Sequence, residues 1–369
     1  MAKHGENIRK RKDGRWEGRI HISEFGHTKY KSVYAKSYLE LKEKLKEYHK
    51  ENKREIKKST VDFKTLYYKW FQNSMIKNKQ STLAKYQYLI DKHITPYFET
   101  IELKQLNQEY LNLFIQKKLN HEKLSPKTVQ DILGVLSQIF HYGESNGYIP
   151  PIQYEIVKPS VPRKEIEVLT EEEQIKLVKY IKANIRNEIK GVGILLSLYA
   201  GTRLGEICAL RWKDLRLDIG IINITKTMQR VKNMDREANT KTKIIIDTPK
   251  TQNSIRQIPI PDFLLTELKI WSERYPENAY ILTGDTEKYI EPRSYQNSFK
   301  RYLKQTGIRN INFHALRHTF ATRAIEQKVD AKSLSDILGH ATVKFTLERY
   351  VHPSFTQKKL NIEKLAVFY

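Results

Sequence analysis

His314-Ala-Leu-Arg317-His318-Thr-Phe-Ala-Thr322 is followed, after a polar interval, by Leu338-Gly339-His340-Ala-Thr342 and then by Leu347-Glu-Arg-Tyr350-Val351. On a helix, His314 and Arg317 stand three residues apart on one face, so both can point at one anion. Gly339 is a helix-ending residue, which puts His340 at the start of the next element. Tyr350 comes one segment later, where a phenol oxygen can be delivered to the same spot. Two histidines, an arginine and a tyrosine so disposed suggest a site that grips a phosphodiester and attacks it. Each piece alone is weak, since most of the 22 tyrosines must be structural. The set gains weight only if the upstream chain adds cations.

It does. Tyr199-Ala-Gly-Thr-Arg203-Leu-Gly-Glu206-Ile-Cys208-Ala-Leu210 reads as a helix end, a tight turn and a new helix start. Arg203 then lies near that helix's N-terminus, where backbone N–H groups and the dipole favour an anion. Glu206, three residues on, can hold the guanidinium in a bidentate pair. Taken alone, an ordinary surface Arg–Glu pair explains these two residues as well. Leu204, Ile207 and Leu210 read as core, and Cys208 as a small buried hydrophobe. Strands are expected at Ile219–Thr225 and Thr242–Ile246, with a polar interval, Lys226–Lys241, between them. Pro249-Lys250-Thr251 sits at a turn before Ser254–Ile260, which alternates like a strand. A lysine at such a tip reaches into a groove or an active site as a mobile ammonium.

Over 369 residues, 66 Lys and Arg stand against 42 Asp and Glu, a formal net charge of +24. Such an excess favours a polyanionic partner, and the length suffices for two or three domains. Nucleic acid fits better than a membrane, because no apolar run approaches the length of a spanning helix. The polar, charged start carries no secretory signal, so an intracellular, cytoplasmic protein is expected. The lone Cys208 excludes an internal disulfide and a Cys-rich metal site. Neither Gly-x4-Gly-Lys-Ser/Thr nor His-Glu-x-x-His occurs, and no metal site is expected.

The first 58 residues hold 18 Lys and Arg against 9 Asp and Glu. Asp13-Gly14 and Phe25-Gly26 are turn signals separating short strands near Asn7–Lys12, Arg15–Ile22 and Thr28–Tyr34. Alternation turns Trp16, Ile20 and Ile22 inward and Arg15, Glu17, Arg19 and His21 outward. A following helix offers Tyr38, Leu41, Leu45 and Tyr48 as one covering stripe. Arg11, Arg15, Arg19, Lys29 and Lys31 are then expected on the open side, where a sheet can enter a major groove; a solvated basic surface is the plainer alternative.

Glu51–Thr60 reads as a linker, and residues from about 61 to 150 as helices only. Phe63, Leu66, Tyr67, Trp70 and Phe71 make one stripe. Leu83, Tyr86 and Ile90 make a second, ending near Pro96, and Tyr110, Leu111, Phe114 and Ile115 a third. Ser125-Pro126 caps a fourth helix with Val129, Ile132, Leu133, Leu136, Ile139 and Phe140 buried. Exposed Lys77, Lys79, Lys85, Lys118 and Lys127 can track a phosphate backbone or simply be solvated. A proline-punctuated connection, Ile149–Arg163, leads to a capping pattern, Thr170-Glu-Glu-Glu173, before a helix ending near Asn184. His318 and His352 read as surface or packing neighbours.

Arg203 within Ala-Gly-Thr-Arg-Leu-Gly-Glu, Lys250 within Pro-Lys-Thr, His314 to Arg317, Leu-Gly-His340 and Tyr350 occur in the order of the tyrosine recombinase (phage integrase) family. The chain resembles its lambda-type and conjugative-transposon integrases. The resemblance implies a mainly α chain with small β-sheets (α+β) in three domains. These are 1–58, an arm-type DNA-binding domain of three strands and a helix; 59–160, a helical core-site-binding domain; and 165–369, a mixed α/β catalytic domain with a C-terminal tail.

It also implies chemistry. Tyr350 is the nucleophile, forming a 3′-phosphotyrosyl bond and releasing a 5′-hydroxyl. Arg203 and Arg317 bind the non-bridging oxygens, His340 helps hold the phosphate, Lys250 protonates the leaving oxygen, and His314 assists proton transfer or orientation. Glu206 fixes Arg203 from behind. No cofactor is implied, because the phosphotyrosine keeps the bond energy. Implied partners are double-stranded DNA at core and arm sites, further copies of the chain (a tetramer in the synapse) and an excisionase or DNA-bending accessory protein. The apolar tail residues Leu360, Ile362, Leu365 and Val367 dock on a neighbouring copy or on their own domain. A Xer-like resolvase, a type IB topoisomerase and a catalytically silent DNA-binding protein are the alternatives; the basic first unit argues against the resolvase, and the intact residue set against the silent protein.

Overall fold

Helices begin where the sequence places caps. Asp62, Asn107, Ser125, Thr170, Asp330 and Thr342 each accept a backbone N–H of the first turn that follows, which satisfies a donor the helix itself cannot. The computed structural model describes residues 8–11, 13–24, 27–47, 61–103, 106–149, 155–162, 165–233, 239–249, 252–351, 359 and 362–363. The chain divides into two compact units, Met1–Arg163 and Lys164–Tyr369. No helix among the described residues is long and apolar enough to cross a membrane.

In the first unit, β1 (Ile8–Lys10), β2 (Trp16–Glu24) and β3 (His27–Ala35) form an antiparallel sheet in the order β1-β2-β3. A helix, α1 (38–47), follows. Leu41 and Leu45 lie so close over Gly18 that a Cβ there would come within 3.0 Å of Leu45. Tyr38 meets Trp16 edge-on at 5.2 Å.

The sheet corrects two expectations. Glu17 is on the outward face but buried, because Arg9, Arg11 and Arg19 all close on its carboxylate. The register sets Ile20 opposite Lys31 and Ile22 opposite Lys29. Directly paired residues share a face, so the positions of Lys29 and Lys31 belong to the face of Ile20, not to the open side.

The helical part runs α2 (Phe63–Lys77), α3 (Gln80–Leu89), α4 (Thr95–Phe98), α5 (Gln108–Gln116) and α6 (Pro126–Ser145). Phe98 is the hub of its core, with Phe63, Phe114 and Phe140 ring centroids at 5.4, 5.0 and 5.9 Å. Burying each such ring stabilises by about 1.5–3 kcal/mol. The second helical run ends near Pro96, at Phe98. A π turn at Ile90–Ile94 carries the helix on into α4, where Pro96 occupies the first turn and its missing N–H costs nothing. Lys118 is not exposed: its side chain is only 5% accessible and donates to Glu122 at 2.6 Å.

The second unit holds α7 (Glu171–Asn184), α8 (Gly191–Ala200), α9 (Leu204–Ala209), β4 (Leu215–Arg216), β5 (Ile221–Ile224), β6 (Thr227–Lys232), β7 (Thr242–Asp247), β8 (Arg256–Pro259), α10 (Asp262–Ser272), α11 (Pro292–Thr306), α12 (His314–Glu326), α13 (Ala331–Leu338) and α14 (Val343–Tyr350). The capping box predicted at Thr170 and Glu173 is present at the start of α7. Strands β4, β5 and β8 form one antiparallel sheet, β6 and β7 a separate ribbon. The interval Lys226–Lys241 is therefore not a plain connection. Its first half is β6, with Met228 and Val231 buried, paired along its length with β7. Helix α8 is buried along nearly its whole length. Helix α12 packs against it, and Thr319 of α12 accepts the Leu169 N–H at 2.9 Å.

Candidate active site

Two helices end in left-handed glycines, and their final carbonyls converge on three arginines. Gly201 closes α8 at φ 62° and Gly339 closes α13 at φ 62°, a conformation that glycine adopts without a Cβ clash. Arg317 donates to Gly201 O at 2.6 Å and to Leu338 O at 2.5 Å. Arg203 donates to Gly339 O at 2.9 Å, and Arg256, on β8, to Ile337 O at 2.6 Å. The negative ends of two helix dipoles thus hold cations that would otherwise repel one another.

Glu206 is the counter-charge. Its carboxylate is buried and accepts Arg203 Nη1 at 2.7 Å and the Arg203 backbone N–H at 2.8 Å. Arg256 grips both its oxygens at 2.9 Å. The bidentate partner is therefore Arg256, fifty residues on, rather than Arg203. Burial alone would raise the Glu206 carboxyl, but the hydrogen bonds and charge of Arg256, with Arg203, hold it at about 2. Three guanidinium groups face one carboxylate, leaving net positive charge where an anion can enter. Arg203 retains 32% of its side-chain exposure, whereas Arg317 is 2% exposed, so Arg203 is the more accessible of the two.

Around this cluster stand the other residues expected at the site. His314 opens α12 one turn from Arg317 with its side chain exposed; desolvation by the groups packed around it, then Arg317, Arg203 and Arg349, push its imidazole down. His340 follows Gly339, and its Nδ1 lies 2.7 Å from Thr346 Oγ1. Burial, then Arg317 and Arg203, bring it to about 3. Tyr350 ends α14, buried, with its ring parallel to His340 at 6.3 Å. Burial raises its phenol, a shift opposed by Arg317, Arg349 and Arg203. Lys250 lies outside the described residues, as do His352, Leu360, Leu365 and Val367; Ile362 is exposed.

Three nearby groups were not singled out from sequence. Arg256 looked like one charged residue in an alternating strand. His318 is a correction: it is not a surface neighbour but buried, its Nδ1 2.7 Å from Tyr350 Oη. Its spacing of four from His314 was the available signal. Arg349, beside the tyrosine, adds a further positive charge near His314 and His318.

The cations expected to meet DNA are less free than composition suggests. Arg15 pairs with Asp13 at 2.8 Å, Arg11 lies within 3.8 Å of Glu17, and both guanidinium groups lie over the exposed Tyr34 ring. Lys85 and Lys127 share Asp131, at 2.7 and 3.2 Å. Lys31 is exposed on β3, while the Lys29 side chain lies outside the described residues.

The phage integrase family model matches residues 167–357, and an integrase N-terminal SAM-like domain matches 62–119. A tyrosine recombinase XerC-like protein of Caldanaerobacter subterraneus subsp. tengcongensis is 28% identical, covering 91% of each chain. The ICEBs1 integrase of Bacillus subtilis is 27% identical over 89% of each. A solved structure of the Tn1549 transposon integrase in complex with circular intermediate DNA superposes with a TM-score of 0.68 at 19% identity, covering 83% of this chain and all of that one. Lambda integrase bound to a core site gives 0.56 at 15% identity, over 95% and 96%. With the arginine cluster and a nearby tyrosine in place and a family match over more than half its length, the chain belongs to the phage integrase family, the site-specific tyrosine recombinases.

Proposed function

We propose that this recombinase integrates and excises a mobile element, cutting and rejoining DNA through a 3′-phosphotyrosyl bond at Tyr350. The observation that carries the reading is the Arg203–Arg317–Arg256 cluster, held by Glu206 and two helix ends, with Tyr350, His314 and His340 close enough to feel its charge. Arg203 and Arg317 bind the non-bridging oxygens of the scissile phosphate and stabilise the charge that builds there, in a site already organised before DNA arrives. His340 hydrogen-bonds the same phosphate. Both histidines are neutral at physiological pH, so each keeps one acceptor nitrogen and one donor. Lys250 delivers a proton to the departing 5′-oxygen, and neutral His314 takes up the proton that the phenol gives up. Phenol is a weak nucleophile at neutral pH, so the arginines' pull on its charge contributes to the attack.

Residues 59–160 grip core DNA and residues 1–58 the accessory arm sites, with Arg11, Arg15, Arg19, Lys85 and Lys127 as phosphate contacts released from their internal acids. Such exchange weakens steeply with salt. The chain works as an oligomer, a tetramer in the synapse, with an excisionase or DNA-bending partner. The XerC-like relative, similar along 91% of the chain, favours a second reading, resolution between paired chromosomal sites. A nicked suicide substrate built from DNA the protein selects tests the shared step: wild type forms a covalent band and Tyr350→Phe does not. An adduct in Tyr350→Phe contradicts the assignment. Paired substrates carrying unlike or identical sites then separate integration from resolution.

A further inference from the structure

We infer that His318 is a positioning residue for the nucleophile, fixing the Tyr350 hydroxyl by accepting its hydrogen bond. This rests on the reading of Tyr350 as the attacking group. Helix α12 places His314, Arg317 and His318 within a turn of one another, and the end of α14 lies against it. His318 meets His314 edge-on at 4.5 Å, and its Nδ1 is 2.7 Å from Tyr350 Oη. The tyrosine ring lies between His318, at 5.7 Å, and His340, at 6.3 Å. Both ends of the hydrogen bond are buried.

The surroundings of that bond keep the imidazole neutral. His318 faces His314 and Arg317 on its own helix and Arg349 and Tyr350 on α14. Burial, then His314, Arg349 and Arg317, take its imidazole down to about 3. It is therefore neutral, and a neutral imidazole with its proton on Nε2 presents Nδ1 as an acceptor. In that tautomer, which our inference assigns to His318, the phenol is the donor. With its O–H tied to His318, the oxygen's lone pairs are directed away from that helix. A ring that resists protonation this strongly is a poor place to store a proton, so its contribution is orientation rather than base catalysis. Orientation of a reacting atom is worth much, since displacements of about 1 Å cost as much as a hundred-fold in rate.

The test is single-turnover adduct formation by the full-length chain on a nicked core-site substrate, with DNA affinity and thermal unfolding measured alongside. Wild type, His318→Ala, His318→Asn and Tyr350→Phe are compared. His318→Ala is expected to slow the adduct about ten- to hundred-fold at unchanged affinity. His318→Asn keeps an acceptor near Nδ1 and is expected to recover most of that loss, with the wild-type pH profile. Should the alanine variant not fold, His318→Leu fills the space without an acceptor and is expected to behave as alanine would. Alanine cleaving as fast as wild type, or faster, overturns the inference, as does asparagine remaining as slow as alanine in a well-folded chain. If wild type forms no adduct on substrates it binds, the Tyr350 reading fails first and this inference with it.

Discussion

Replacing Arg256 by methionine isolates the residue that ties the site together. Methionine occupies similar volume but gives up every donor: two to Glu206 at 2.9 Å, one to Ile337 O at 2.6 Å and one to Ser254 O at 3.1 Å. Glu206 stays buried with Arg203 as its remaining partner, and the Ile337 carbonyl at the end of α13 loses its partner. Removing one half of a buried ion pair costs about 3–5 kcal/mol. For a unit of this size that is a fall of roughly 6–20 °C in Tm. Urea and thermal unfolding of the full chain measure it. A double-mutant cycle with Glu206→Gln removes the stranded charge too, so the double variant should lose less than the sum of the singles by about 1 kcal/mol or more. Adduct formation should fall further than stability explains, because Arg203 loses the anchor that aims it. A cost below about 1 kcal/mol, or strictly additive singles, would refute the view that Arg256 holds Glu206 and Glu206 holds Arg203.

Gly339→Ala forces a Cβ into left-handed backbone at φ 62°, 2.9 Å from Asn253 O and from Arg256 Cδ; we expect a loss of about 2 kcal/mol, and unchanged unfolding would contradict it. His318 and His340 have folded values each depressed to about 3. Their contribution is therefore full above the unfolded value near pH 6.5 and is lost as pH falls towards those folded values, with a slope of about 1.4 kcal/mol per pH unit for each group. Unfolding between pH 7 and 4 should show that decline, and His318→Asn should flatten it by about one proton; a flat profile in wild type contradicts it. Lys85→Ala with Lys127→Ala should weaken DNA binding on all sequences and reduce the salt slope by about one for each lysine, whereas an unchanged slope removes both from the interface.

Much of the site was legible because its parts are local. The i, i+3 spacing of His314 and Arg317, the glycine before His340 and the capping residues Thr170 and Ser125 are decided within a turn of helix. Partners distant in sequence were not. Arg256 and Glu206 are fifty residues apart, and nothing in an alternating strand says which cation will be the buried one. Lys29 and Lys31 were misplaced because the face of a strand depends on the register of its hairpin, and a shift of one residue exchanges the faces. Glu17 does lie on the outward face its alternation indicates, but three arginines cover it, which alternation alone does not show. Strand β6 was masked by its charges, although Met228 and Val231 supply its buried contacts.

The most direct measurement of the central claim is the identity of the linked residue. Adduct from a suicide substrate, trimmed by nuclease and digested with protease, is read by mass spectrometry. The account predicts a nucleotide joined through its 3′-phosphate to Tyr350, on the peptide that follows Leu347-Glu-Arg. A nucleotide on any other side chain, or a 5′-phosphate linkage, would contradict it.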